Sequence, residues 1–294
     1  MSKWRPSKEC IYVVPDIHGQ YHQLELILSR ILPLRKTDGV RDKIVFLGDY
    51  VDRRVDSHRV LDRLIELKEI WGDQVVCLKG NHELMFMNAM APSPDSKAYM
   101  FWMNYGGVDT LQGYIKRSGV KKNHNRFKDP HANFDDDNAL EYVRDELENP
   151  YSLARQRIKD FVPQEHKDFI NACEDYHETD DFIFVHGGCD PLRPMDDNLA
   201  PHQIAMGMKP INVFAWDREL FKMLITVVGQ SNVTWEKTIV TGHNGNTGYP
   251  FIIDKFMMLD CSCASKLLVM EMHSKEAFIA KKKKKRLVKL DYIL

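Results

Sequence analysis

Apolar positions in the first ninety residues switch between two periods. The run Cys10 to Val14 reads as a short buried strand, and Leu24, Ile27, Leu28 and Ile31 follow at helical spacing. A second strand over Ile44 to Leu47, a helix around Val60, Leu61, Leu64 and Ile65, and a third strand over Val75 to Leu78 complete a βαβαβ opening. Residues 84 to 180 then turn helical, with candidates at Ala98 to Tyr105, Val108 to Lys116, Asn138 to Lys159 and Gln164 to Ala172 joined by polar loops. Strand signals return at Phe182 to Val185, Thr238 to Thr241, Phe251 to Ile253, Phe256 to Leu259, Leu267 to Met272 and Ala277 to Ile279, several at hairpin-like spacing. The pattern predicts an α/β fold of two packed mixed β-sheets flanked by helices, with a helical cap inserted over residues 91–180.

Each of the first three strands runs into a polar motif: Pro15-Asp16-Ile17-His18-Gly19, Gly48-Asp49-Tyr50-Val51-Asp52-Arg53-Arg54 and Gly80-Asn81-His82-Glu83. His186-Gly187-Gly188 and Gly242-His243 follow two later strands. Ligands of α/β sheets collect outside the carboxyl ends of the strands, where loops converge on rigid supports. Asp16 and Asp49 offer carboxylates, His18, His186 and His243 imidazoles, and Asn81 an amide oxygen. Such mixed oxygen and nitrogen donors suit manganese, iron or zinc better than calcium. Any one of these residues alone reads more readily as a helix cap or a hydrogen-bonded core residue. Six of them, each at a strand end, point to a metal site.

The 294 residues, 44% hydrophobic and 28% charged, suffice for a core that needs no staples, and we read residues 1–294 as one domain. With 41 basic and 42 acidic residues the chain has no global attraction to nucleic acid or an anionic membrane, so any anion binding is local. Cysteines 10, 77, 173, 189, 261 and 263 include no C-x-x-C pair and fit buried thiols in a reducing cytosol. No stretch of 18 apolar residues and no apolar leader occurs, which predicts a cytoplasmic protein without a membrane partner. Asp135-Asp136-Asp137 cannot all face one ion from a regular element and reads as a solvated loop or helix N-terminus. The C-terminal segment 281–294 holds the basic run Lys281 to Arg286 without interleaved aromatics, which reads as a solvated edge. Leu287, Val288, Leu290 and Ile293 predict that the chain packs again after it.

Taken in order, Asp-x-His-Gly, Gly-Asp-x-x-Asp-Arg, Gly-Asn-His-Glu, His-Gly-Gly and Gly-His resemble the calcineurin-like metallophosphoesterases, specifically their phosphoprotein phosphatase branch. Phe101-Trp102-Met103-Asn104-Tyr105-Gly106-Gly107 with Thr110-Leu111, and Trp216-Asp217-Arg218-Glu219, resemble the bacterial and phage serine/threonine phosphatases of the lambda type. This resemblance implies a two-sheet metallophosphoesterase sandwich and two divalent ions, manganese first and iron or zinc as substitutes. It places Asp16, His18 and Asp49 on one ion and Asp49, Asn81, His186 and His243 on the other, with Asp49 as the bridge. Water shared by the ions would supply a hydroxide nucleophile near neutral pH. His82 would be the general acid for the leaving oxygen, and Asp52 would fix its tautomer. Arg53 and Arg218 would clamp the phosphate oxygens, because guanidinium forks match phosphate geometry.

Two positions depart from the family pattern, which carries glycine where this chain has Pro15 and Arg54. Pro15 fixes φ and lacks an N–H, whereas Arg54 adds a cation that either steers an anion or extends into solvent; we read it as extending into solvent. The Cys261-Ser262-Cys263 segment reads as packing rather than a metal site. The function implied is a metal-dependent phosphomonoesterase acting on phosphoserine or phosphothreonine in proteins, cytoplasmic, or in a host cytoplasm for a phage-encoded chain. Alternatives are a dinucleoside polyphosphate hydrolase, a phosphatase of nucleic-acid ends and, outside enzymes, an inactive metal-binding interaction module.

Overall fold

Short strands with almost no polar alternation organise the chain, because both faces of each sheet are covered. The computed structural model describes residues 10–32, 42–91, 96–118, 161–190, 195, 213–216, 218, 236–245, 248–261, 266–281 and 286–290. In the first sheet β1 (Ile11–Val14) pairs in parallel with β2 (Lys43–Phe46), and β2 pairs in parallel with β3 (Val75–Cys77). Antiparallel β9 (Lys266–Glu271), β10 (Ala277–Lys281) and β11 (Leu287–Lys289) complete the order β11-β10-β9-β1-β2-β3. The second sheet contains β4 (Tyr176–Glu178), β5 (Phe182–Val185), β6 (Thr238–Thr241), β7 (Phe251–Ile253) and β8 (Phe256–Met258) in the order β4-β5-β6-β8-β7. Its three central strands run parallel and its two edges antiparallel, so both sheets are mixed, as the sequence predicts.

The period of two along each strand sorts its side chains between two cores. Val13, Val45 and Val76 join Phe184, Val240 and Met257 in the cluster between the sheets. Val14, Ile44, Phe46 and Val75 face the other way, onto α1 (Tyr21–Ile31) and α2 (Ser57–Trp71). The α1 residues buried there are those the spacing predicts. In α2 Leu67 takes the place expected for Ile65, because it continues the Val60, Leu64 row one turn further while Ile65 is only half-buried. The outer face of the second sheet, with Ile183, Val185, Ile239 and Met258, is covered by Phe214 of α7 (Val213–Trp216).

Between the sheets in sequence come α3 (Asn81–Ala89), α4 (Ser96–Trp102), α5 (Val108–Arg117) and α6 (Gln164–Ala172). The predicted helix over 98–105 is interrupted, since Met103–Gly107 forms a π-helical turn in which Gly106 has φ 107°. Such turns are rare and concentrate at functional sites. Trp102 and Tyr114 are wholly buried against Phe86, in the same core as α1 and α2. Tyr114 Oη and His166 Nδ1 lie 2.6 Å apart, and His166 Nε2 is 2.9 Å from Asp62 Oδ1, tying α5 and α6 to α2. The expected helix over 138–159 and the Asp135 to Asp137 cluster lie outside the described residues, as do Lys282 to Lys285 and Ile293.

Strand β4, with the sequence Tyr-His-Glu, carries no apolar run and was not predicted; as an edge strand it needs little burial. Cys77, Cys173, Cys189 and Cys261 are buried thiols and Cys10 is half-buried, whereas Cys263 lies outside the described residues. Among the described residues no helix is long and apolar enough to cross a membrane. Phe184 is fully buried between the sheets while Ile70 is 62% exposed on α2. Phe184→Ala is expected to cost about 3–5 kcal/mol, and Ile70→Ala to change stability by less than about 0.5 kcal/mol, both read from urea-unfolding midpoints.

Candidate active site

The parallel strands β1, β2, β3, β5 and β6 all deliver their carboxyl ends to one edge, and the five polar motifs meet there. Their mutual position is set first by Glu83, in the opening turn of α3, where the helix dipole favours a carboxylate. Its Oε2 accepts the N–H groups of Asp49 at 2.8 Å and Gly80 at 3.0 Å, and its Oε1 those of Tyr50 at 2.8 Å and Val51 at 3.2 Å. Burial and neighbouring Asp49 push the Glu83 carboxyl up to about 7, against the pull of those N–H groups toward the anion. The loop so held is strained: Asp49, Asp52 and Arg53 have φ of 53°, 73° and 65°, and His18 and His243 lie at 43° and 64°. Gly80 is required by proximity, because a Cβ there would sit 2.2 Å from Asp49 Oδ1.

Asp49 lies at the centre. Its Oδ2 is 3.3 Å from His18 Nε2 and 3.9 Å from His82 Nε2, and its Oδ1 is 3.2 Å from His186 Nε2. His18 donates from Nδ1 to Val51 O at 2.7 Å, and His186 from Nδ1 to Leu47 O at 2.8 Å, so both rings turn Nε2 inward. Asn81 Oδ1 is 3.1 Å from His186 Nε2, and Asp16 Oδ1 accepts the His243 N–H at 2.9 Å. Ligand atoms of His18, Asp49 and His82 lie within 4.8 Å of one another, and so do those of Asp49, His186 and His243. Two adjoining donor pockets therefore share one carboxylate. Asn81 borders the second; Asp16, expected with His18 and Asp49, is 4.0 Å from His186 Nδ1, and His82 completes the first cluster in its place.

Nitrogen and carboxylate oxygen atoms turned toward one another at these distances are held by a shared proton or by a cation. Burial opposes charge on His186, yet Asp49 outweighs it and raises the imidazole to about 9. Asp49 itself is held well below the usual carboxylate range, where His186 and His82 outweigh its burial. Burial and the charge of His186 push His243 down to about 3, which keeps its ring neutral. A divalent ion would take the place that a proton fills here, so the donor set fits a pair of metal ions.

Beside these pockets His82 Nδ1 donates to Asp52 Oδ2 at 2.7 Å, and His82 Nε2 faces Arg53 Nη2 at 3.4 Å. Arg218 donates from Nε to His243 Nε2 at 2.8 Å. All ten residues singled out in the sequence thus gather at one edge of the sandwich. Arg54 corrects the sequence reading: instead of extending into solvent, it donates from Nη1 to His18 O at 2.9 Å and braces the first motif. Pro15 is buried directly after β1.

Four contributors were not singled out. Glu83 sits inside a quoted motif, and Trp102 and Thr110 inside another, but nothing local tells that they bind Asp49 and Asp52 from a distance. Asp260 is buried beside Asp16, and burial together with Asp16 holds its carboxyl well above the ordinary range. A polar residue just beyond β8, like those ending the other central strands, was the available signal. Cys261 next to it is buried and packs, as expected.

The family profile described as calcineurin-like phosphoesterase matches residues 11–254. The chain belongs to that family. This phosphoesterase therefore sits among metal-dependent hydrolases of phosphoric esters. It is 37% identical over 82 residues, 28% of its own length, to the serine/threonine-protein phosphatase SIT4 of Candida albicans. A second serine/threonine-protein phosphatase of that yeast is 40% identical over 75 residues, 25% of this chain. The matches span only 26% and 16% of the length of those relatives. The crystal structure of a cold-active protein-tyrosine phosphatase from a psychrophilic Shewanella superposes with TM-score 0.51 at 17% identity, over 97% of this chain and 81% of the other, a likeness of fold.

Glu83→Gln keeps the size of the side chain but points an amide N–H₂ at backbone donors. It is expected to destabilise the phosphoesterase by at least about 1–3 kcal/mol, read as a lower urea midpoint.

Proposed function

We propose that this phosphoesterase is a metal-dependent phosphomonoesterase that removes phosphate from phosphoserine and phosphothreonine in proteins. The observation that carries the reading is the placement of His82. Held by Asp52 at 2.7 Å, it presents Nε2 both 3.9 Å from the shared carboxylate Asp49 and 3.4 Å from the guanidinium of Arg53. A proton donor, an anion clamp and two donor pockets thus converge on one point. The serine/threonine-protein phosphatases with which the chain shares its matched segments support the choice of substrate.

Asp16, His18 and Asp49 would hold one ion, and Asp49, Asn81, His186 and His243 the other, with manganese suited to these oxygen and nitrogen donors. When bound, the pair of ions supplies a nucleophile from water near neutral pH. Arg53 and Arg218 hold the phosphate oxygens and balance the charge that grows on them. His82 gives its proton to the departing serine or threonine oxygen, while Asp52 fixes the orientation of the ring. His82 and Asp52 are buried, which keeps bulk water from competing for that proton.

A second reading rests on the rings around this point. Phe101 and Tyr105, 43% and 47% exposed, lie 4.5 Å apart, and Trp216 adjoins both Phe101 and His243. Flat exposed rings beside a phosphate clamp suit a nucleobase, which favours a dinucleoside polyphosphate as the alternative substrate.

Phosphate release from phosphoserine peptides, p-nitrophenyl phosphate and diadenosine tetraphosphate under manganese separates the readings; faster turnover of the dinucleotide than of the peptides overturns the first. His82→Asn is expected to lower kcat by about 10²–10⁴ with its metal content intact. Asp49→Asn is expected to lose both metal, measured by elemental analysis, and activity.

A further inference from the structure

The turn that carries Asp52 and Arg53 is not self-supporting. Two successive non-glycine residues lie there in the left-handed region, φ 73° and 65°, a conformation that persists only where surrounding contacts impose it. Those contacts come from one short segment, the end of α4, the π-helical turn and the start of α5. The Thr110 hydroxyl accepts the Asp52 backbone N–H at 2.8 Å and donates to Asp52 Oδ1 at 2.8 Å, gripping backbone and carboxylate at once. Trp102 Nε1 donates to the same carboxylate, 2.9 Å from Oδ1 and 3.1 Å from Oδ2. Gly106 O accepts the Arg53 N–H at 3.0 Å, and a Cβ on Gly106 would lie 2.8 Å from that nitrogen.

With the imidazole of His82 on Oδ2, the fully buried Asp52 carboxylate is ringed by donors on both oxygens. That ring fixes the plane of the carboxylate, and through it the plane of the imidazole. With Asp52 turned this way, Nε2 of His82 faces Arg53 and Asp49. Neither Trp102 nor Thr110 touches the reacting point.

We infer that Trp102 and Thr110 are positioning residues for the proton-transfer step: through Asp52 they aim His82 at the leaving oxygen. The inference rests on the reading of His82 as the proton donor. It assigns to the α4–α5 segment a share in catalysis of poor leaving groups, those that depart as alkoxides and need the proton most.

The test compares kcat of the full-length, manganese-loaded protein on a phosphoserine peptide, an alkyl ester, with kcat on p-nitrophenyl phosphate, an aryl ester whose leaving group needs little protonation. Thr110→Val keeps the shape and removes the hydroxyl. It is expected to raise the aryl-to-alkyl ratio of kcat by about tenfold, a fraction of what proton transfer supplies. Thr110→Ser is expected to restore the wild-type ratio, and Trp102→Phe, which keeps an aromatic ring against Phe86, to raise it. A merely structural role lowers both rates together and leaves the ratio fixed. If His82→Asn raises the ratio and Thr110→Val does not, the inference is overturned while the acid assignment stands. If His82→Asn also leaves the ratio unchanged, the acid assignment itself fails and the inference falls with it.

Discussion

Asp49 is buried on a loop of left-handed backbone among three imidazoles, and its own strand does little to keep it there. Glu83 does, by binding four backbone N–H groups, three of them in the Asp49 loop and one at the head of α3. One side chain thereby locks the exit of β2 to the exit of β3, and the same lock brings Asn81 and His82 to the two sides of Asp49. The His18 loop joins through the carbonyl of Asp49, which accepts the N–H groups of Ile17 and His18. A buried carboxylate that serves only backbone donors is costly to place and rigid once placed. The site needs that rigidity, because the Asp49 carboxylate must keep its place among the rings of His18, His82 and His186.

The parallel strands were legible because burial on both faces leaves unbroken apolar runs such as Ile44 to Phe46 and Phe182 to Val185, and because each run ends in a polar motif. The candidate ligands were legible for the same reason: a strand tip says where a residue goes without any knowledge of its partners. What stayed hidden depends on partners. Arg54 reads as solvated in the sequence because nothing near it names its acceptor, the His18 carbonyl. Thr110 is separated from Asp52 by 58 residues and looks like an ordinary helix residue in its own neighbourhood. Strand β4 had no apolar signal, since it borrows its place from β5.

The segment from Phe101 to Thr110 shows how one stretch of helix can face two environments. Trp102, the Gly106 carbonyl and Thr110 point into the protein and hold the Asp52 turn, while Phe101 and Tyr105 point out beside Trp216. The kink at Gly106, whose φ of 107° is non-helical, makes this division workable, because it reorients the start of α5 relative to the end of α4. The floor beneath His82 and the aromatic rim near it are therefore one continuous piece of chain.

The hydrogen bond from the His243 N–H to Asp16 spans 227 positions in the sequence and joins the first sheet to the second. Asp16, His18, Asp49 and Asn81 hang from one sheet, His186 and His243 from the other. Ions held between them would act as a rivet across the sandwich, with their binding energy added to the cohesion of the two layers. A slip of one sheet over the other by a fraction of a bond length would then be resisted first at the edge where these six residues meet.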